Sequence, residues 1–191
     1  MAAPEPTYAV ILHDNDFEVR DYPREIVAQV TVGGDQDAAG SAGFRLLAAY
    51  IFGGNAGQRS IAMTAPVVQS RDGGEKIPMT APVVQSKRDG SWTVRFIMPP
   101  GYTLDTLPVP NDPRVTLVAL PPTRFAVVRF SGLAFEHDVL AHTEELRAFI
   151  ATHQLRPAGP SLLARYNPPW TPWFMRRNEV MVPLEGVAPA Q

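Results

Sequence analysis

Apolar and polar positions alternate with a period of two along Tyr8 to His13, Asp16 to Arg20, Glu25 to Val32, Val115 to Leu120 and Arg124 to Phe130. That period puts successive side chains on opposite faces of a strand, so each stretch reads as a β-strand. Two other segments repeat at the helical period instead. Near Asp37 to Ile51, Phe44, Leu47, Ala48 and Ile51 share one stripe, with Gly40 close to the N-terminal end and Gly53-Gly54 as the stop signal. Near Phe135 to Thr152, the stripe is Phe135, Val139, His142, Leu146 and Phe149, which sets a histidine on an apolar helix face. The order strand, turn, strand, helix, strand occurs twice, at an offset of about a hundred residues. Between the copies, Pro99 to Pro113 holds five prolines and a glycine and predicts a crossover loop.

A shorter repeat lies inside the first half. IAMTAPVVQS at Ile61 to Ser70 returns as IPMTAPVVQS at Ile77 to Ser86, with Ala62 exchanged for Pro78. The intervening Asp72-Gly73-Gly74 supplies positive φ at little steric cost, so a hairpin with a longer loop is predicted between the copies. Pro66 and Pro82 cannot donate to a ladder, which predicts a sheet edge or bulge for both. Met63 and Met79, one on each arm, then line either a packed edge or the rim of a cavity.

The MTAPV segment after a strand resembles the SOUL/heme-binding protein family. Phe17-Glu18-Val19-Arg20 with Tyr22, the run GFRLLAAYIFGGN at Gly43 to Asn55, and WTVRFIMP at Trp92 to Pro99 follow in family order. So do Arg129-Phe130-Ser131-Gly132 and Tyr166-Asn167-Pro168-Pro169 leading into Arg177-Asn178-Glu179-Val180. Together the segments span roughly residues 7 to 184. The resemblance implies an α+β fold in which two pseudo-symmetric βαβ-type halves form a distorted antiparallel β-barrel with flanking helices, as in small-molecule effector-binding domains. It also implies noncovalent binding of heme or another tetrapyrrole. One domain is expected over residues 7–185, with an N-terminal extension at 1–6 and a loose tail at 186–191.

Composition narrows the chemistry. With 191 residues, 45% of them hydrophobic and 19% charged, the chain can bury a single sizeable core. A net charge of −2 with scattered basic residues gives no footprint for a phosphate backbone, so nucleic acid is not an expected partner. The absence of cysteine excludes disulfides, thiolate ligation of heme and covalent heme attachment. No stretch approaches the roughly 20 apolar residues that span a bilayer, and MAAPEPTYAV lacks the pattern of an export signal, so no membrane insertion and a cytoplasmic location are expected.

Among possible iron ligands, His142 is the sharpest, because imidazole is the commonest neutral ligand and this one sits on an apolar stripe. A core histidine bonded to backbone is the plainer reading. In one heme-ligating member of the family a histidine follows the residues matching Phe17 to Arg20. Asp21 stands there in this chain, so that ligation does not carry over. Met63 and Met79 are weaker thioether candidates. For heme propionates, Arg45, Arg59, Arg176 and Arg177 are the available guanidiniums, since the basic first-helix residues of animal members are Ser41 and Ala49 here. Phe44, Leu47, Ala48 and Ile51 would offer the ring an apolar helix face, with the small Gly40, Gly43 and Ala48 letting it approach the backbone; a plain core stripe is the alternative. Trp170, Trp173 and Phe174 would cap either the core or a pocket mouth. No catalytic motif is present, so the expected function is a tetrapyrrole carrier, buffer or delivery module rather than an enzyme. An effector-sensing module, or a hydrolase or porphyrin-modifying enzyme on the same scaffold, is the alternative.

Overall fold

Nine strands and two longer helices alternate along the chain in the computed structural model, which describes residues 4–71, 90–167 and 170–186. The strands are β1 (Ala9–Asp14), β2 (Phe17–Tyr22), β3 (Glu25–Gly33), β4 (Val67–Arg71), β5 (Ser91–Ile97), β6 (Thr116–Leu120), β7 (Thr123–Ser131), β8 (Leu162–Arg165) and β9 (Arg177–Leu184). The helices are α1 (Gln36–Ile51) and α2 (Glu136–Thr152). All strands join one antiparallel sheet in the order β1-β2-β7-β9-β8-β4-β5-β3-β6.

That order contains the predicted two halves. β2-β3-α1-β4-β5 corresponds to β6-β7-α2-β8-β9, and the sheet order reads the same from either side of the β4/β8 pair once β1 is set aside. Each half also exchanges its first strand. β2 pairs with β7 and β6 pairs with β3, so the halves interlock through their outer strands as well as through β4 and β8. The result is a curled α+β half-barrel.

Local chemistry sets the helix ends. Asp35 caps α1 by accepting a hydrogen bond from the Ala38 amide at 2.8 Å, which satisfies one orphan donor of the first turn. Gly53, at φ 113°, turns the chain out of the helix, and the Gly54 amide returns to the Ala49 carbonyl at 2.8 Å. At α2 the Phe135 amide donates to the Asp138 carboxylate at 3.2 Å.

Strand parity divides the sheet into two unlike faces. On one, α1 covers Ala28, Val30, Val94 and Phe96 through Leu47, Tyr50 and Ile51. On the same side α2 covers Ala126, Val128, Val180 and Val182 through Leu146, Phe149 and Ile150. The alternate residues Tyr22, Val68, Phe125, Leu162 and Met181 face the other way, into the concavity of the curled sheet.

α1 approaches the sheet most closely at Gly43, where an added Cβ would lie 2.5 Å from Val94 Cγ2 and 2.7 Å from Val94 Cβ. The space that small helix residues leave at this point is therefore occupied by the Val94 side chain. Gly43→Ala gains about 1 kcal/mol of helix propensity but overpacks the contact by about 1–3 kcal/mol. A lower denaturant midpoint is expected, with part of the loss recovered when Val94→Ala is added.

The first copy of the decapeptide corrects one expectation. β4 starts directly after Pro66 and is an interior strand with both edges taken, by β5 and β8. Pro66 lies outside the ladder, so its missing donor places no constraint on the strand. The predicted pairing of the two copies is not made by β4. The second copy, with Met79 and Pro82, lies outside the described residues.

Candidate functional site

On the concave face the strands enclose a cavity of about 520 Å³, within the range of roughly 300–1,000 Å³ common for small-molecule sites. Its position follows from the interlocked halves. Val27 of β3 and Val68 of β4 line it from the first half, Phe125, Leu162 and Met181 from the second, and Tyr22 of β2 and Leu120 of β6 from the exchanged strands. Pro66 puts the first MTAPV arm on its wall, while Met63 turns away to pack against the α1 core. The adjacent Val67 and Val68 go to opposite faces, one to α1 and the other to the cavity side.

The polar groups are few and separated. Arg95 on β5 shares the cavity face with Val68, and its Nε donates to Gln29 Oε1 at 3.0 Å, whereas Arg71 at the end of β4 has the parity of Val67 and lies 5.8 Å from the Trp92 ring centroid on the α1 side. Glu25 opens β3, and β3 pairs Gln29 with Arg95 and Val27 with Ile97. Four residues of strand thus separate Glu25 from the Arg95 level, about 13 Å at 3.3 Å per residue. Glu25 Oε1 is buried without a hydrogen-bond partner, and burial pushes its carboxyl up to about 7.

Beside the cavity lies a buried ionic cluster. Glu179 on β9 is fully buried and accepts from Arg20 Nη1 at 2.8 Å, Arg177 Nη2 at 2.7 Å and the Tyr166 hydroxyl at 2.9 Å. Arg177 also lies 3.8 Å over the Tyr166 ring and pairs with Glu5 at 3.0 Å, which ties the N-terminal segment to the sheet. Burial alone would raise the Glu179 carboxyl, but the Arg20 and Arg177 guanidiniums hold it below the usual carboxylate range. Burial and the Glu179 charge raise the Tyr166 hydroxyl, and burial pushes Tyr22 up to about 12. Both tyrosines line the cavity, so the cluster forms part of its rigid wall.

The residues singled out in the sequence are dispersed across this architecture. Leu47 and Ile51 are at 0% and 1% exposure in the α1 core, with Phe44 and Ala48 partly buried against the same cluster and Arg45 in solvent. His142 is half-buried on α2. Its ring stacks on Phe130 at 4.2 Å between centroids and Nδ1 lies 2.8 Å from Glu145 Oε2, on the helix side of the sheet. Arg177 is committed to Glu179 and Glu5. Trp170, Trp173 and Phe174 are 84%, 60% and 61% exposed and line neither this cavity nor the smaller one of about 300 Å³ beside it. Among the described residues no group of three His, Asp or Glu side chains is arranged to hold a metal ion.

Glu25 and Arg95 were missed in the sequence. The parity of β3 carried a signal for the first: Glu25, Val27 and Gln29 share the face opposite Ile26, Ala28 and Val30, and that face is concave.

Two helices backing a curled nine-stranded antiparallel sheet, with a cavity of about 520 Å³ on its open face, define an α+β half-barrel. The family model described as SOUL heme-binding protein matches residues 3–73 and 69–183, and the chain belongs to that family. No curated protein matches it significantly. Among solved structures the fold is similar to the EcmrR C-terminal domain, with a TM-score of 0.65 and 12% identity over 94% of this chain and 99% of that one. It is similar also to an uncharacterized conserved protein from Listeria innocua, with a TM-score of 0.61 and 15% identity over 95% and 94% of the two chains. A hydrolase from the same organism gives a TM-score of 0.57 and 15% identity over 91% and 94%. No helix of the described residues is long and apolar enough to cross a membrane.

Proposed function

We propose that the chain binds a tetrapyrrole noncovalently in the concave cavity and serves as its carrier, buffer or delivery module. The observation that carries this reading is a cavity of about 520 Å³ lined by Val27, Val68, Phe125, Leu162 and Met181, with Arg95 on its wall, in a member of a heme-binding family. Apolar side chains from both halves suit the two faces of a planar ring, and the Arg95 guanidinium matches a carboxylate. Heme, when bound, would supply iron for axial ligation. The described lining residues include one thioether, Met181, and no imidazole, so faces and carboxylates would hold the ring.

Burying on the order of 400 Å² of apolar ring at roughly 25 cal/mol/Å² gives about 10 kcal/mol, against an association cost of about 4–15 kcal/mol. Micromolar affinity is the expected scale. Titration of the protein with hemin and with metal-free protoporphyrin is expected to give saturable absorbance shifts within about tenfold of each other, because face contacts do not distinguish iron. The absence of a shift with either ligand at tens of micromolar overturns the reading. His142→Ala is expected to keep the hemin spectrum, since that ring meets Phe130 and Glu145 across the sheet from the cavity. Loss of the spectrum would move the site to the helix side.

A further inference from the structure

Arg177 gives only part of its guanidinium to the buried cluster. Nε and Nη2 donate to Glu179 Oε1 at 3.0 and 2.7 Å, while Nη1 turns to Glu5 and meets its two carboxylate oxygens at 3.0 and 3.3 Å. The contacts with Glu179 fix the side chain, so the partner of Nη1 can be exchanged without breaking them. Arg177 also stands against the cavity wall. Its guanidinium lies 3.8 Å over the ring of Tyr166, which lines the cavity, and on β9 it has the parity of Met181 and Pro183, which line it too.

Glu5 comes from outside the sheet, on the segment that leads into β1. Pro6 of that segment lines the cavity, and Pro4, Glu5, Pro6 and Thr7 form one wall of the smaller cavity beside it. The Pro4 carbonyl accepts from the Ala65 amide at 3.0 Å, Glu5 holds Arg177, and Tyr8 packs on Tyr22 at 5.1 Å between centroids. The segment thus links the first MTAPV arm to β9. Its ionic fastening is weak: the Glu5 side chain is 41% exposed, and a pair so placed spends most of its Coulomb gain on ordering two long side chains. A ligand carboxylate makes the same charge-assisted bond after its ring is already held by the apolar wall, so the second contact forms within one complex.

We infer that, resting on the tetrapyrrole reading, Arg177 Nη1 is a carboxylate subsite of the cavity in addition to Arg95, and Glu5 is its internal stand-in, displaced together with its segment when a carboxylate-bearing ligand binds. The exchange makes a chemical filter. A ligand with apolar faces alone fills the cavity and leaves Glu5 in place, whereas one that also carries a carboxylate releases Pro4 from Ala65.

The experiment titrates the full chain and its Glu5→Ala variant with protoporphyrin and with protoporphyrin dimethyl ester, followed by porphyrin fluorescence. Glu5→Ala is expected to bind protoporphyrin about fivefold more tightly than the wild type, the scale of one exposed ion pair, and to bind the ester with unchanged affinity. Amide hydrogen exchange gives the second readout. In the wild type, protoporphyrin is expected to speed exchange at the Ala65 amide as the Pro4 carbonyl leaves it, and the ester is expected to leave that rate unchanged. An equal gain with the ester, no gain with protoporphyrin, or exchange at Ala65 that protoporphyrin slows or leaves alone overturns this inference and leaves the tetrapyrrole reading standing. Failure of both porphyrins to bind overturns both.

Discussion

Replacing Glu179 with alanine is expected to lower stability by about 3–5 kcal/mol, the cost of leaving a buried charge without its partner. Glu179 is at 0% exposure and Arg20 at 2%, and the substitution leaves Arg20 with Glu18 and Arg177 with Glu5 as their remaining carboxylates. Arg20 loses two hydrogen bonds, from Nη1 at 2.8 Å and Nη2 at 3.1 Å, and Arg177 loses two, at 2.7 and 3.0 Å. The Tyr166 hydroxyl loses its acceptor as well. At roughly 2–4 °C per kcal/mol for a chain of this size, the melting temperature should fall by roughly 6–20 °C. Glu179→Gln keeps an acceptor and should lose less than the alanine variant. A change below about 1 kcal/mol in the alanine variant would mean that the arginines find water or other partners.

The same cluster fixes the sign of the acid response. Because Glu179 is held below its unfolded value of 4.5, its ion pairs stabilise the fold above that pH, and the contribution disappears as pH falls through the lower folded value. The acid limb of wild-type stability should therefore be steeper than that of Glu179→Ala, as read from urea midpoints between pH 5 and pH 2.

Local patterns in the sequence foretold much of the fold. α1 and α2 start and end within a residue or so of their predicted bounds, because apolar spacing and, for α1, the Gly53-Gly54 stop act within a single turn. The two halves were legible from repeated order alone. The exchange of β2 and β6 between them was not, because strand alternation states which face a side chain takes and not which neighbour the strand chooses. The site was harder to read. An apolar stripe such as Phe44, Leu47, Ala48 and Ile51 is what any helix needs to cover a sheet, and here it covers Val94 and Phe96. The concave face resembles a solvated one in sequence, since Glu25, Gln29 and Arg95 are the residues a water-facing strand would carry. Arg20 and Glu179 lie 159 positions apart, and no local period connects them.

Glu25→Gln is expected to raise stability at pH 8 and to change it little at pH 4.5. The folded carboxyl is pushed from 4.5 up to about 7 by burial, so the folded state binds the proton more tightly than the unfolded chain does. Its favourable contribution is complete below 4.5 and is lost as pH rises through about 7, where ionisation must occur in a poorly solvated site. At 1.36 kcal/mol per pKa unit, discounted for the part of the side chain that water reaches, the difference between pH 4.5 and pH 8 is about 2–3 kcal/mol. Thermal melts of both proteins at pH 4.5, 6 and 8 check this: the curves should meet at the lowest pH and separate by roughly 4–12 °C at the highest. Parallel curves would place enough water or a cation against the carboxyl to keep its affinity for protons ordinary. A carboxylate that weakens the empty fold at neutral pH runs against stability, and such local conflicts concentrate where a protein binds something.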